Sequence, residues 1–221
     1  MFLSGAKPYK GTGMEGRLAT WYAKITRKGI EEYQKLADRL SRETPENSRI
    51  LEVAPGPGYL AIELAKRGRY EIVGLDISES LVRIARENAR MESVSIDFQH
   101  GNASAMSFDD NSFDLVVCRA AFKNFTQPVE ALDEMYRVLK PGGRAIVIDL
   151  RKDASSEEIA TFIHKSNQRW FDAIVMKLIF RFMLIPRAYT ADRFREMATG
   201  SKFGGCKISR SPAACEVVLE K

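Results

Sequence analysis

Residues 49–66 constrain this chain most: R-I-L-E-V-A-P-G-P-G-Y-L-A-I-E-L-A-K. Ile50, Leu51 and Val53 form an apolar strand, Ala54-Pro55-Gly56-Pro57-Gly58 a turn, and Leu60, Ile62, Leu64 and Ala65 the stripe of a helix. Strand, glycine-rich turn and helix open a ligand crevice at the carboxyl end of a sheet's first strand. The turn is no phosphate cradle. Such a cradle needs consecutive backbone N–H donors, and Pro55 and Pro57 have none. Nor does a third glycine complete the dinucleotide fingerprint. Rigid, open to close approach at Gly56 and Gly58, and richer in acceptors than donors, the turn suits an ammonium better than a pyrophosphate.

The remaining pattern alternates strands and helices. Residues 1–20 read as an irregular, glycine- and lysine-rich arm, followed by a helix over about 29–43. Strands are predicted at Tyr70–Leu75, Val94–Phe98, Phe113–Cys118 and Arg144–Leu150. Ser78 is placed to cap a helix over Glu79–Met91, and Pro128 to open one over Val129–Leu139. Residues 152–188 break this rhythm as a helical insertion. Thr190 then caps a helix over Ala191–Ala198, and two short strands, Cys206–Ser209 and Ala214–Leu219, close the chain. Alternation at this spacing means a parallel sheet with helices on both faces, the last strand running antiparallel beside the fifth.

The 221 residues suffice for one α/β domain with an appendage. The net charge of +5 is spread, with no basic run of five, so nucleic acid is not the expected partner. No apolar run is long enough to span a bilayer, and the first ten residues lack the apolar core of a secretory signal. Cys118, Cys206 and Cys215 fit neither a disulfide framework nor a metal pair and read as free thiols of a reducing, cytoplasmic compartment.

Two polar residues stand beside the crevice. Asp76, ending the second strand, can accept from both hydroxyls of a ribose; its alternative is a turn or cap aspartate. Asn102, after the third strand, can pair with an adenine edge; its alternative is a turn asparagine.

Together with Glu52-Val53-Ala54-Pro55-Gly56-Pro57-Gly58, Gly101-Asn102-Ala103, Phe113-Asp114-Leu115-Val116 and Leu139-Lys140-Pro141-Gly142-Gly143, these residues resemble the class I S-adenosylmethionine (SAM)-dependent methyltransferases, and in particular their small-molecule branch of ubiquinone/menaquinone methyltransferases. The resemblance covers about residues 48–150 and implies a Rossmann-like seven-stranded sheet of order 3-2-1-4-5-7-6. Residues 1–47 would then be an arm and helix covering the site, and 48–221 the SAM-binding domain with a helical lid at 152–188. Two positions depart from the pattern. Ala54 stands where the family has its first glycine, and alanine is comfortable only at negative φ. Asn102 stands where the family has aspartate.

By position, the resemblance assigns Glu52, Ala54, Gly56 and Gly58 to the methionyl end of SAM, Asp76 to its ribose, Ile77, Asn102 and Ala103 to its adenine, and Arg119 to the crevice near the methyl group. Methyl transfer leaves S-adenosylhomocysteine and needs no metal, and none is expected. Tyr22, Arg119 and Lys123 are the candidate catalytic residues, the two cations suiting an acidic or phenolate acceptor. Tyr9, Phe122, Phe125 and Trp170 are candidates for an apolar acceptor pocket. The apolar stretch 174–185 leaves three covers open: a buried lid, a second copy of the chain, or a lipid surface. The expected activity is methyl transfer to a small apolar or aromatic molecule. An RNA or protein methyltransferase, or a SAM-binding module without transfer activity, are the alternatives.

Overall fold

In the computed structural model, residues 9–10, 13–165 and 184–221 are described. Seven strands form one sheet in the order β3-β2-β1-β4-β5-β7-β6. They are β1 (Arg49–Val53), β2 (Glu71–Asp76), β3 (Asp97–His100), β4 (Phe113–Arg119), β5 (Leu139–Leu150), β6 (Lys207–Arg210) and β7 (Ala214–Glu220). The first five are parallel, and β7 runs antiparallel to both β5 and β6. This is the expected sheet and order.

Side chains alternate across it, as a pleated strand requires. Ile50, Ile72, Leu115, Val117 and Ile146 face one layer, with α2 (Ile30–Glu43), α3 (Tyr59–Ala65) and α4 (Glu79–Met91). Leu51, Val53, Val73, Leu75, Val116 and Val147 face the other, with α5 (Pro128–Val138) and α7 (Ala191–Gly200). Each such leucine or valine, fully buried, contributes on the order of 1.5–3 kcal/mol. The helix α6 (Ser156–Lys165) starts in a reciprocal cap: Glu158 N–H donates to Ser155 Oγ at 3.1 Å and Ser155 N–H to Glu158 Oε2 at 2.8 Å.

Three local readings change. The arm is not irregular throughout, because α1 (Gly16–Thr26) begins within its last five residues and runs on past it. Its buried stripe is two alanines, Ala19 and Ala23, too small to register as an apolar period. Strand β3 starts at Asp97, three residues late. Ser93 takes φ +55° and Val94 N–H turns back to Ala89 O at 3.1 Å, so this stretch wraps the end of α4 before pairing with β2 begins. Leu139-Lys140-Pro141-Gly142-Gly143 does not precede β5. It lies within it as an irregularity, the β4 register jumping from Phe113↔Leu139 to Leu115↔Arg144. Trp170 and residues 174–183 lie outside the described residues.

Candidate active site

The chain crossings reverse direction between β1 and β4, so the crevice lies where their carboxyl ends diverge. The turn 54–58 follows β1, and Arg119–Phe125 follows β4. Phe98 decides how the turn folds. A Cβ on Gly58 would stand 2.6 Å from Phe98 Cζ, and one on Gly74 would stand 2.5 Å from Phe98 Cδ1. Glycine at both positions lets the ring lie against the turn and β2, and Gly58 also holds φ +80°.

Ala54 takes φ +55°, the left-handed conformation a glycine would adopt. Alanine's preference for negative φ is overridden here. Ala54 N–H is held by Leu75 O at 2.8 Å, and this tether along β2 carries the strain. Asn88 Nδ2 donates to Pro57 O at 2.9 Å, Gly58 N–H to Pro55 O at 3.1 Å, and Ile62 N–H to Gly58 O at 3.0 Å. The carbonyls of Ala54 and Gly56 accept no hydrogen bond from the described residues. They are the free acceptors that the two prolines predict.

Asp76 is 4% exposed. Its Oδ2 accepts from Gly56 N–H and its Oδ1 from Ser78 N–H, both at 2.9 Å. Burial raises its carboxyl above the usual aspartate range, against the pull of those two donors. Each oxygen keeps a second lone pair. Glu52 is also buried, and its Oε2 accepts from Ala61 N–H in the first turn of α3 at 2.9 Å. Burial pushes its carboxyl up to about 8, opposed by the Ala61 donor and the charge of Arg119. Glu52 thus braces the turn from beneath.

Asn102 Oδ1 accepts from Ser104 N–H at 3.0 Å, so its carbonyl is used within its own turn. His100 Nε2 lies 3.1 Å from the carbonyl of Ile77, joining the β2 and β3 ends. Ile77 and Ala103 are half-buried at the same rim.

The helix α1 lies over this crevice. Gly16 N–H donates to Ser80 Oγ at 2.9 Å, Ser80 N–H to Glu15 Oε2 at 3.1 Å, and Tyr59 Oη to Ala23 O at 2.8 Å. Tyr22 is thereby set against the turn, its Cε1 3.5 Å from where a Cβ on Gly56 would be. Desolvation raises the Tyr22 phenol well above its ordinary value, so it stays protonated at neutral pH. Arg119 stacks its guanidinium 4.1 Å from the Tyr33 ring centroid. Ala120 follows it at φ +59°, a second strained residue at the crevice.

The remaining candidates divide. Lys123 is 2% exposed, and its Nζ donates to Asp149 Oδ1 at 2.9 Å and to Ala120 O. Its N–H donates to Asp149 Oδ2 at 2.8 Å. That charge is committed within the protein, whereas Arg119 makes no ion pair among the described residues and lies over Tyr33. Asp149 escaped the sequence reading; an acid closing the apolar run Ala145–Ile148 was its only signal. Phe122 is fully buried, stacked on Phe194 at 5.4 Å and against Phe125 at 5.4 Å, so it shapes the wall without lining an open pocket. Tyr9 pairs with Phe125 across an isolated bridge, carrying the arm over the segment that follows β4. No group of three metal-ligating side chains occurs among the described residues.

Residues 51–147 match the family model described as a methyltransferase domain. A demethylmenaquinone methyltransferase of Deinococcus radiodurans is 42% identical over 108 residues, 48% of this chain and 45% of that protein. The ubiquinone/menaquinone biosynthesis C-methyltransferase UbiE of Hydrogenovibrio crunogenus is 40% identical over 109 residues, 47% of this chain and 42% of that one. The match thus spans less than half the length of these curated relatives. Among solved structures, one from Methanococcus maripaludis, provisionally assigned as a SAM-dependent methyltransferase, aligns with 100% of this chain and 97% of its own at a TM-score of 0.74 and 20% identity. The [4+2]-cyclase SpnF aligns with 80% of this chain and 59% of its own, at a TM-score of 0.60 and 26% identity. Sheet order and the solved structures together give this chain the fold of the class I SAM-dependent methyltransferases, with residues 51–147 matching a methyltransferase domain and similar to those of the ubiquinone/menaquinone group.

Proposed function

We propose that the chain transfers a methyl group from SAM to a small apolar or aromatic acceptor, of the quinone type that its relatives' names give. One observation carries this most directly: a buried turn that offers free carbonyls at Ala54 and Gly56 while Asp76 holds it at the Gly56 amide. Those carbonyls suit the α-ammonium of a methionyl group. The spare lone pairs of Asp76 suit ribose hydroxyls, and Ile77, Asn102 and Ala103 form the rim that would meet adenine. Glu52 holds the turn in shape from below.

SAM supplies an already activated methyl group, displaced in line by the acceptor to leave S-adenosylhomocysteine. The protein's part is alignment and exclusion of water. Here α1 with Tyr22, the Tyr9–Phe125 crossing and Arg119 close the acceptor side. Arg119 is suited to hold an acceptor oxygen in its anionic form; Tyr22, protonated at neutral pH, is suited to donate a hydrogen bond. The free thiols Cys118, Cys206 and Cys215 support a reducing, cytoplasmic setting.

A second reading rests on Tyr22. Its ring packs against Gly56 from outside and both Asp76 oxygens already hold backbone donors, as in a SAM-binding module closed by its own helix. Titration calorimetry with SAM and S-adenosylhomocysteine, with Asp76→Ala as control, is the first test. Absence of binding by the wild-type chain defeats both readings. Binding followed by radiolabel transfer to a panel of phenols and quinols supports the enzyme, and binding without any transfer supports the module.

A further inference from the structure

A cavity of about 450 Å³ beside the segment that follows β4 is lined by Lys10, Lys152, Arg187 and Arg193, together with Tyr189 and Thr190. We propose that it is a binding site for a phosphate or diphosphate group.

Each cation comes from a different segment. Lys10 belongs to the arm, Lys152 follows β5, Arg187 ends a short helical turn (Ile185–Arg187), and Arg193 lies in the first turn of α7. The frame holding them together is hydrogen-bonded throughout. Lys10 N–H donates to Asn124 O at 2.6 Å, Lys152 N–H to Tyr189 O at 3.1 Å, and Lys10 Nζ to Tyr189 Oη at 2.7 Å. Chance surface lysines are not converged in this way by four separate elements.

The balance of charge is one-sided. No carboxylate lines the cavity among the described residues. Of the acids of α7, Asp192 pairs with Arg195 at 2.6 Å and Glu196 with the lining Arg193 at 2.7 Å, which leaves Lys10, Lys152 and Arg187 without a carboxylate partner among the described residues. Of a chain whose net charge is +5, four cations meet in this one concavity. Like charges so gathered repel, and a multivalent anion relieves that repulsion. The Arg187 guanidinium adds a forked donor that matches phosphate oxygens, and the N-terminus of α7 directs its dipole to the same place. A carboxylate, with one charge and two oxygens, would use fewer of these donors than a phosphate does.

The probe is inorganic pyrophosphate, titrated calorimetrically into the full chain at low ionic strength. Saturable binding is expected, weakened at least tenfold in Lys152→Gln/Arg187→Gln and weakened again by raised salt. Lys152 is exposed and Arg187 half-buried, so the variant should keep the wild-type thermal midpoint; Arg193→Gln is a second variant on another element. Lys207→Gln, a remote cation paired with Glu220, should bind as wild type does. Cosedimentation with phosphatidylglycerol vesicles against phosphatidylcholine vesicles separates the source. Capture that pyrophosphate displaces marks a lipid headgroup, and pyrophosphate binding without capture marks a free phosphate compound. No saturable heat with pyrophosphate, or equal affinity in the wild type and both cavity variants, overturns the proposal. SAM binding, measured separately, is expected to survive in all of them.

Discussion

The Asp76 carboxylate receives the Gly56 amide at 2.9 Å, so the end of β2 holds the turn that follows β1. The same carboxylate takes the Ser78 amide at 2.9 Å, where Ser78 in turn caps α4 by accepting from Leu81 N–H at 3.0 Å. One buried side chain therefore fixes two loops of the crevice before any ligand arrives.

Removing it has a structural cost apart from any loss of binding. Asp76→Ala leaves two buried N–H groups without an acceptor, and each such orphan costs about 1–3 kcal/mol. Urea unfolding should show a loss of about 2–5 kcal/mol, with Asp76→Asn losing less because its carbonyl keeps one of the two bonds. A loss below about 1 kcal/mol for the alanine variant would mean that the loops hold their own shape.

Ala54 gives an opposite expectation. At φ +55° it sits where L-residues other than glycine are disfavoured by about 1–2 kcal/mol. Ala54→Gly relieves that strain and gives back part of it as extra freedom in the unfolded chain. The net expected is a gain of about 0.5–1 kcal/mol, while Ala54→Val, β-branched at positive φ, should be less stable than wild type. Denaturant midpoints of the three proteins in the order Gly, Ala, Val check this. A glycine variant no more stable than wild type would show that Leu75 O does not hold Ala54 under strain.

The same residue shows where sequence and structure part. Alternation, helix stripes and the Ser78 and Thr190 caps are local signals, and they are enough for a parallel sheet with helices on both faces; the strand order rests on the family resemblance, and the turn's want of donors on Pro55 and Pro57. Ala54's φ was not readable, because intrinsic preference points the other way and a tether along β2 decides it. The helix α1 escaped because packing by Ala19 and Ala23 leaves no large apolar stripe. Lys123 looked like a crevice cation because its partner, Asp149, is 26 positions away and meets it only when β4 and β5 pair.

That pair behaves as a unit. Lys123 and Asp149 are both almost wholly buried, and removing one partner leaves an uncompensated charge. Lys123→Met should cost about 3–5 kcal/mol, whereas Lys123→Met/Asp149→Asn should recover more than half of it. A double-mutant cycle by urea unfolding measures the coupling. Additive losses would place Lys123's role elsewhere, in the bond from its ammonium to Ala120 O.

Glu52 makes stability depend on pH in a direction unusual for a carboxylate. Burial raises its folded-state value to about 8, against an ordinary value of 4.5. Between those limits the native protein holds a proton that the unfolded chain has released. Its contribution is therefore complete below about pH 4.5 and declines as pH rises toward 8, at no more than about 1.4 kcal/mol per pH unit. Glu52→Gln keeps an oxygen for the Ala61 amide and cannot ionise, so it should abolish this part of the decline. Asp76 is shifted in the same direction, also by burial, and remains in both proteins. The difference between them isolates Glu52. Unfolding in urea at pH 5, 6.5 and 8 should show the wild type losing ground to the glutamine variant at each step. Parallel curves would mean that Glu52 stays ionised in the folded protein, held by Arg119 more strongly than burial opposes it.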